Sequence, residues 1–142
     1  MQPKGVKVAS ADAALATEGE ALWNDKALSG SGAVACATCH IGGTTQMNAS
    51  FADAYPHRVA MPHQAAGVDK VNAAEMVQFC MITPMANEPL SWSGRQLAAL
   101  TAYVEKIQKG FEAPAGGSAA NPCNPCGANP CAAGNPCNPC GN

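Results

Sequence analysis

The residues with the clearest chemical potential form one pentapeptide, Cys36-Ala37-Thr38-Cys39-His40. Thiols three positions apart lie on the same side of a helical turn, and the next residue projects from the end of that turn. This C-x-x-C-H pattern is typical of covalent haem attachment, in which Cys36 and Cys39 bond to the haem vinyl groups and His40 binds the iron as the proximal ligand. The pattern occurs once, so we expect one haem c.

Two other uses of a C-x-x-C pair have weaker support. A thioredoxin-like redox pair belongs in a βαβ unit, and the chain shows no strand-like alternation of apolar and polar residues. Half of a zinc site would need a second pair of ligands, for which the body of the chain offers only Cys80, His57 and His63. Haem attachment is therefore the favoured interpretation.

An electron-transfer haem normally has a second side-chain ligand on the far side of the iron. The candidates downstream of His40 are His57, Met61, His63, Cys80, Met81 and Met85. Met61-Pro62 is similar to the Met-Pro ligand turn of many small cytochromes, but it follows His40 with no intervening helix in the pattern. A thiolate ligand favours the ferric state, whereas a thioether raises the potential. The residues alone leave this choice open.

The first and last predicted helices are expected to cross. Apolar residues spaced by three and four predict a helix over 12–28, ahead of the Ser29-Gly30 turn. Ser93 and Gln96 give a capping signature for a last helix that stops at Gly110. Gly19 should allow close approach where the two helices meet, against Leu100 or Tyr103.

Between these helices the chain alternates a loop and a third helix. The segment 41–71 is rich in Gly, Thr, Asn and Pro and is predicted to be a long irregular loop, of the kind that wraps around a bound group. Asn72 and Glu75 form a capping-box signature for a helix that should end near Ile82, ahead of Pro84. The predicted fold is all-α: a small cytochrome c fold with three to five helices around one haem.

Three domains follow from composition: an N-terminal extension over 1–11, a cytochrome c domain over 12–112 and a flexible tail over 113–142. The tail is rich in Cys, Pro, Asn and Gly and has no large apolar side chains with which to form a core. Its five cysteines are Cys123, Cys126, Cys131, Cys137 and Cys140. They suit a soft metal, disulfides or a bond to a partner chain, and a disordered spacer without a partner is the alternative.

Composition excludes two classes of partner. The 142 residues carry a formal net charge of -2, so there is no basic surface for nucleic acid. The apolar stretches are shorter than the roughly 20 residues that cross a bilayer. Hydrophobic residues make up 47% of the chain but aromatic ones only 5%, which fits a domain whose core is completed by the apolar surface of a haem.

The segment Phe79–Leu90, together with the helix that follows Gly94, resembles a stretch in the cytochromes c of thiosulfate dehydrogenase and of the Sox sulfur-oxidation system. Ala54-Tyr55-Pro56 is similar to a Tyr-Pro loop of the same family. The resemblance spans roughly Glu18 to Gln108, and it implies that Cys80 is the distal iron ligand, with Met85 and Met81 as the alternatives.

The thiosulfate-oxidising enzymes of this family carry a second haem domain, whereas this chain has one haem motif. One-electron transfer is therefore predicted rather than catalysis, in sulfur-compound or respiratory electron transport. A haem enzyme acting on sulfur substrates and a haem- or metal-binding sensor module remain as alternatives.

Haem propionates need charged or hydrogen-bonding partners. Tyr55, Arg58 and Trp92 are the candidate contacts to them or to the haem pocket. The partners expected of the domain are a redox protein donor and acceptor. Because haem is attached in this way after export, we expect a periplasmic or extracellular protein whose signal peptide has been removed.

Overall fold

The computed structural model describes residues 2–5, 8 and 12–113. Over these residues the protein is all-helical, apart from one isolated β-bridge between His57 and Val71. The α-helices are α1 (Ala13–Trp23), α2 (Cys36–Cys39), α3 (Ala60–Ala66), α4 (Ala73–Ile82) and α5 (Arg95–Lys109), and Lys26–Leu28 and Ala49–Ala52 form 3₁₀ turns. The predicted fold class is confirmed. The predictions for the cysteine-rich segment fall at 114–142, outside the described residues.

Helices α1 and α5 form the most extensive helix contact of the fold. α1 begins where the Asp12 side chain accepts a hydrogen bond from the Ala14 N–H at 2.8 Å. A Cβ at Gly19 would lie 2.0 Å from the Ala99 carbonyl oxygen and 2.7 Å from Tyr103 Cβ. Glycine is therefore required at this crossing, as predicted, with Ala99 and Tyr103 as the neighbours.

Helix α4 has the predicted N-terminus. The Asn72 side chain accepts from the Glu75 N–H at 2.9 Å, and Glu75 Oε2 accepts from the Asn72 N–H at 3.1 Å. The predicted cap of α5 at Ser93 is wrong by one residue, because Gly94 is the extended residue that precedes the helix. Ser93 Oγ instead lies 3.4 Å from Ser91 Oγ.

The segment 41–71 is less irregular than predicted, because it contains α3 and a 3₁₀ turn. Pro62 lies in the first turn of α3, where a missing backbone N–H breaks no helical hydrogen bond. Gly67, with φ of 66°, ends α3 in the left-handed conformation that glycine adopts most easily. The helix is only seven residues long, which is too short for a clear periodic signal.

The main core lies between α1, α4 and α5. It contains Trp23, Leu28, Phe51, Ala73, Ala74, Val77, Met81, Met85, Leu97, Leu100, Tyr103 and Val104. Cys36 and Ala37 pack against this cluster, so the haem motif lies on the wall of the core. Among the helices of the described part of the chain, none combines the length and the apolar character needed to cross a membrane.

Candidate haem site

The haem motif forms one turn of helix, which local hydrogen bonds stabilise. Thr38 Oγ1 accepts a hydrogen bond from the Ala35 N–H at 2.8 Å, and the Thr38 N–H donates to the Ala35 carbonyl at 3.0 Å. The His40 N–H donates to the Cys36 carbonyl at 3.0 Å. Cys36 is half-buried, while Cys39 is exposed. The two cysteines thus lie on one helical turn, with the histidine directly at its end.

The ring of His40 is oriented by a backbone carbonyl. Its Nδ1 lies 3.1 Å from the Thr45 carbonyl oxygen, which is an acceptor and fixes the proton on Nδ1. Gly42 and Gly43, with φ of 68° and 90°, turn the chain back so that this carbonyl reaches the ring. Nε2 is left as the nitrogen that can bind a metal.

Burial disfavours the protonated form of the same ring. Burial lowers the pKa of His40, and the hydrogen bond to Thr45 opposes this shift only in part. A neutral imidazole is the form that binds iron.

Trp23 braces the motif from α1. Its Nε1–H points to the His40 carbonyl at 3.4 Å, and the two rings lie 5.8 Å apart between centroids. On the other side, the Trp23 ring lies 5.4 Å from that of Tyr103. The sequence pattern placed Trp23 only on an apolar helix face, and nothing in the pattern indicates the hydrogen bond to the motif.

Cys80 lies on α4 near both motif thiols. Burial, with a smaller contribution from the charges of Cys36 and Cys39 when ionised, raises the pKa of Cys80 to about 12. The residue as a whole nevertheless keeps some accessible surface. Cys80 is therefore a third thiol close to the haem motif.

The two alternative distal ligands have a different environment. Met81 is 1% exposed and Met85 is 3% exposed, and both belong to the main core. Met61, by contrast, is 41% exposed on α3. Of these three methionines and Cys80, the cysteine is the one that combines partial exposure with proximity to the motif.

The predicted pocket residues are placed in three different ways. Burial raises the pKa of Tyr55, and the charges of Cys80 and then Glu105 add to the shift, which puts Tyr55 near Cys80. Trp92 is half-buried against the main core. Arg58 is exposed and lines a separate surface cleft of about 300 Å³.

His57 is enclosed next to Tyr55. The two rings stack with centroids 4.5 Å apart and an interplanar angle of 23°. His57 is buried, with 8% of its surface exposed. Neither of its ring nitrogens has a hydrogen-bond partner in the structure. Its backbone is fixed by the β-bridge to Val71.

The residues fit a covalent haem. Two thiols lie on one turn, the imidazole of His40 has its Nε2 free, and a third thiol, Cys80, lies nearby. Ile41, directly after the histidine, is 64% exposed, which leaves apolar surface beside the motif for a large apolar group to cover. When bound, such a haem supplies a one-electron iron couple.

An all-α fold with this motif defines a c-type cytochrome domain. A sequence profile described as SoxA/TsdA, cytochrome c domain, matches residues 18–113, which is more than half of the chain. The chain therefore belongs to the SoxA/TsdA cytochrome c domain family, and its class carries covalently bound haem c and exchanges electrons with redox partners. No curated protein and no solved structure matches the chain significantly.

Proposed function

We propose that this protein is a one-electron carrier with a single haem c, bound through Cys36 and Cys39 and ligated by His40 and Cys80. The observation that carries the proposal is the hydrogen bond between His40 Nδ1 and the Thr45 carbonyl, because it leaves Nε2 free at the end of the turn that carries both thiols. Membership of the cytochrome c family supports the same function.

The choice of Cys80 over the methionines follows from burial. Met81 and Met85 are almost fully enclosed in the core, and either would have to leave it to bind a metal. Cys80 keeps partial exposure and lies near the two motif thiols, which supports it as the ligand. In the ligated protein Cys80 would act as a thiolate, which stabilises the ferric state and lowers the potential.

The polypeptide would contribute three further functions. The Thr45 carbonyl fixes the orientation of His40, and Trp23 holds the backbone of the motif against α1. Tyr55, half-buried near Cys80, would shield this thiol from water. Trp92 packs against the main core, while the exposed Arg58 would neutralise a propionate at the surface.

The physiological setting that we propose is sulfur-compound or respiratory electron transport outside the cytoplasm. The family name and the need for haem attachment after export support it. The domain would cover 12–112, with the segments before and after it as an extension and a flexible Cys-rich tail. One redox protein would reduce the carrier and another would oxidise it.

The ligand assignment is tested with the full chain matured in an export-competent host. Near-infrared and electron paramagnetic resonance spectra of the ferric protein should show a low-spin haem with histidine and thiolate ligands. Cys80→Ala should lose the thiolate signature, while Met85→Leu and Met81→Leu should keep it. A thiolate spectrum that survives in Cys80→Ala, or disappears in Met85→Leu, would reject Cys80 as the ligand.

The function is tested by mass and turnover. The mature polypeptide should gain the mass of one haem, and His40→Ala should lose the low-spin spectrum. A carrier should be reduced and reoxidised by one-electron mediators without ligand loss and should not oxidise thiosulfate catalytically. Sustained thiosulfate turnover by the single-haem protein would favour the enzyme alternative instead.

A further inference from the structure

The turn that follows Cys80 is tied to a distant loop by a pair of hydrogen bonds. The Gly30 N–H donates to the Met85 carbonyl at 2.9 Å, and Asn87 Nδ2 donates to the Leu28 carbonyl at 2.9 Å. We call this pair the clasp. It joins the loop after the first 3₁₀ turn to the segment that leads from α4 towards α5.

The fit at the clasp is close. A Cβ at Gly30 would lie 2.1 Å from the Ala86 carbonyl oxygen, so only glycine allows this approach. Ala86 itself has φ of 48°, a left-handed conformation that costs an L-residue energy and persists where surrounding contacts impose it. The turn is therefore held in one conformation by contacts from outside itself.

Met85 is the side chain that this conformation controls. Its N–H donates to the Cys80 carbonyl at 3.0 Å, so the two backbones are adjacent. Over 82–88 Met85 is buried and the other residues are exposed, so the turn has no other side chain to anchor it in the core. The Asn87 N–H adds one more tie, to the Met81 carbonyl at 3.0 Å.

We propose that Gly30 and Asn87 are positioning residues whose clasp keeps Met85 in the core and so prevents it from replacing Cys80 as the iron ligand. This inference rests on the proposed ligation by Cys80. A thioether close in the chain to a thiolate ligand competes with it most strongly in the ferrous state, because ferrous iron is less well matched to an anionic donor.

In the exchange that the clasp would prevent, a soluble one-electron reductant would supply the electron and Cys80 Sγ would release the metal and take a proton from solvent. Met85 Sδ would replace it as the lone-pair donor. With the clasp intact, Met85 stays in the core and the Cys80 bond is retained in both oxidation states.

The test compares the mature full chain with Asn87→Ala, Gly30→Ala and the control Glu88→Ala, whose exposed side chain lies next to the clasp. Ferric and ferrous spectra and midpoint potentials are measured for each. The wild type and Glu88→Ala should keep the thiolate ligand in both states. Asn87→Ala and Gly30→Ala should show a methionine-ligated ferrous haem and a higher potential.

Adding Met85→Leu to Asn87→Ala should restore the wild-type ligand and potential, whereas adding Met81→Leu should not. The proposal is overturned if Asn87→Ala keeps the wild-type spectra in both states, or if the new ligand persists without Met85. Asn87→Ala decides the matter if Gly30→Ala does not mature. A wild-type ferric protein without a thiolate signature would instead reject the ligation by Cys80.

Discussion

Gly19 on α1 lies so close to Ala99 on α5 that a Cβ would come within 2.0 Å of the Ala99 carbonyl oxygen. The obstacle is backbone, which a rotamer change cannot relieve, so the two helices would have to separate. Trp23 lies one turn further along α1 and holds the haem motif through the His40 carbonyl. The helix crossing and the haem site are therefore mechanically connected.

We predict that Gly19→Ala destabilises the protein by about 1–3 kcal/mol, although alanine favours the helix by up to about 1 kcal/mol. Chemical unfolding of the holoprotein, followed by circular dichroism, measures this change. Ala21→Ser, at an exposed position of α1, is the control and should change stability by less than about 0.5 kcal/mol. Equal stability of Gly19→Ala and wild type would show that the crossing is wider than described.

Gln78 forms a two-point contact with the chain before α5. Its Nε2 donates to the Leu90 carbonyl at 2.6 Å, and its Oε1 accepts from the Leu90 N–H at 2.8 Å. The side chain is 4% exposed. Gln78→Met keeps the volume but leaves both Leu90 groups without a partner, so we predict a loss of about 1–3 kcal/mol.

The control for this prediction is Gln96→Met, because Gln96 is exposed on α5. Thermal unfolding of the holoprotein should separate the two variants clearly, with Gln96→Met close to wild type. Similar melting temperatures for the two would mean that water replaces the amide of Gln78 without cost.

Both tyrosines of the chain have raised pKa values in the folded protein. Burial is the main cause for each, assisted by the charge of Cys80 at Tyr55 and of Glu20 at Tyr103. Because an unfolded tyrosine ionises near pH 10, the stability from keeping these phenols neutral is complete below pH 10 and declines as the pH rises towards the folded pKa values.

We predict that the folded protein shows little tyrosinate absorbance at pH 10, where the unfolded chain is half ionised. Tyr55→Phe isolates the titration of Tyr103, and Tyr103→Phe isolates that of Tyr55. Each variant should also lose less stability than wild type above pH 10. Tyrosinate formation at the same pH in folded and unfolded protein would contradict the burial of these hydroxyl groups.

Much of the fold could be predicted from patterns of residues that lie close together in the sequence. The capping box of Asn72 and Glu75 encodes the start of α4 locally, and the spacing of Cys36, Cys39 and His40 encodes a single turn. Gly19 indicated a close crossing because a glycine within a helical pattern has few other uses. In each case the chemistry that sets the structure lies within one or two turns of chain.

Other features depend on contacts between distant segments. The backbone carbonyl of Thr45 orients His40. Almost any residue type at position 45 would supply the same carbonyl, so the sequence gives no signal for this contact. α3 is too short to give a periodic pattern. The turn that buries Met85 is hydrogen-bonded to Gly30, 55 positions earlier, and a contact over this separation leaves no local signal in the sequence.

Ala86 gives the last prediction, because its φ of 48° imposes a cost that glycine does not pay. Removing the left-handed strain at residue 86 should gain about 1–2 kcal/mol of folding free energy. This gain exceeds the cost of about 0.5–1 kcal/mol that comes from the extra entropy of glycine in the unfolded chain. Ala86→Gly should therefore stabilise the holoprotein by up to about 1 kcal/mol in chemical unfolding. Ala21→Gly, in the right-handed backbone of α1, should destabilise it by about 1 kcal/mol. The opposite signs test the conformation at Ala86 directly, since two destabilising results would mean that residue 86 is not held in the left-handed region.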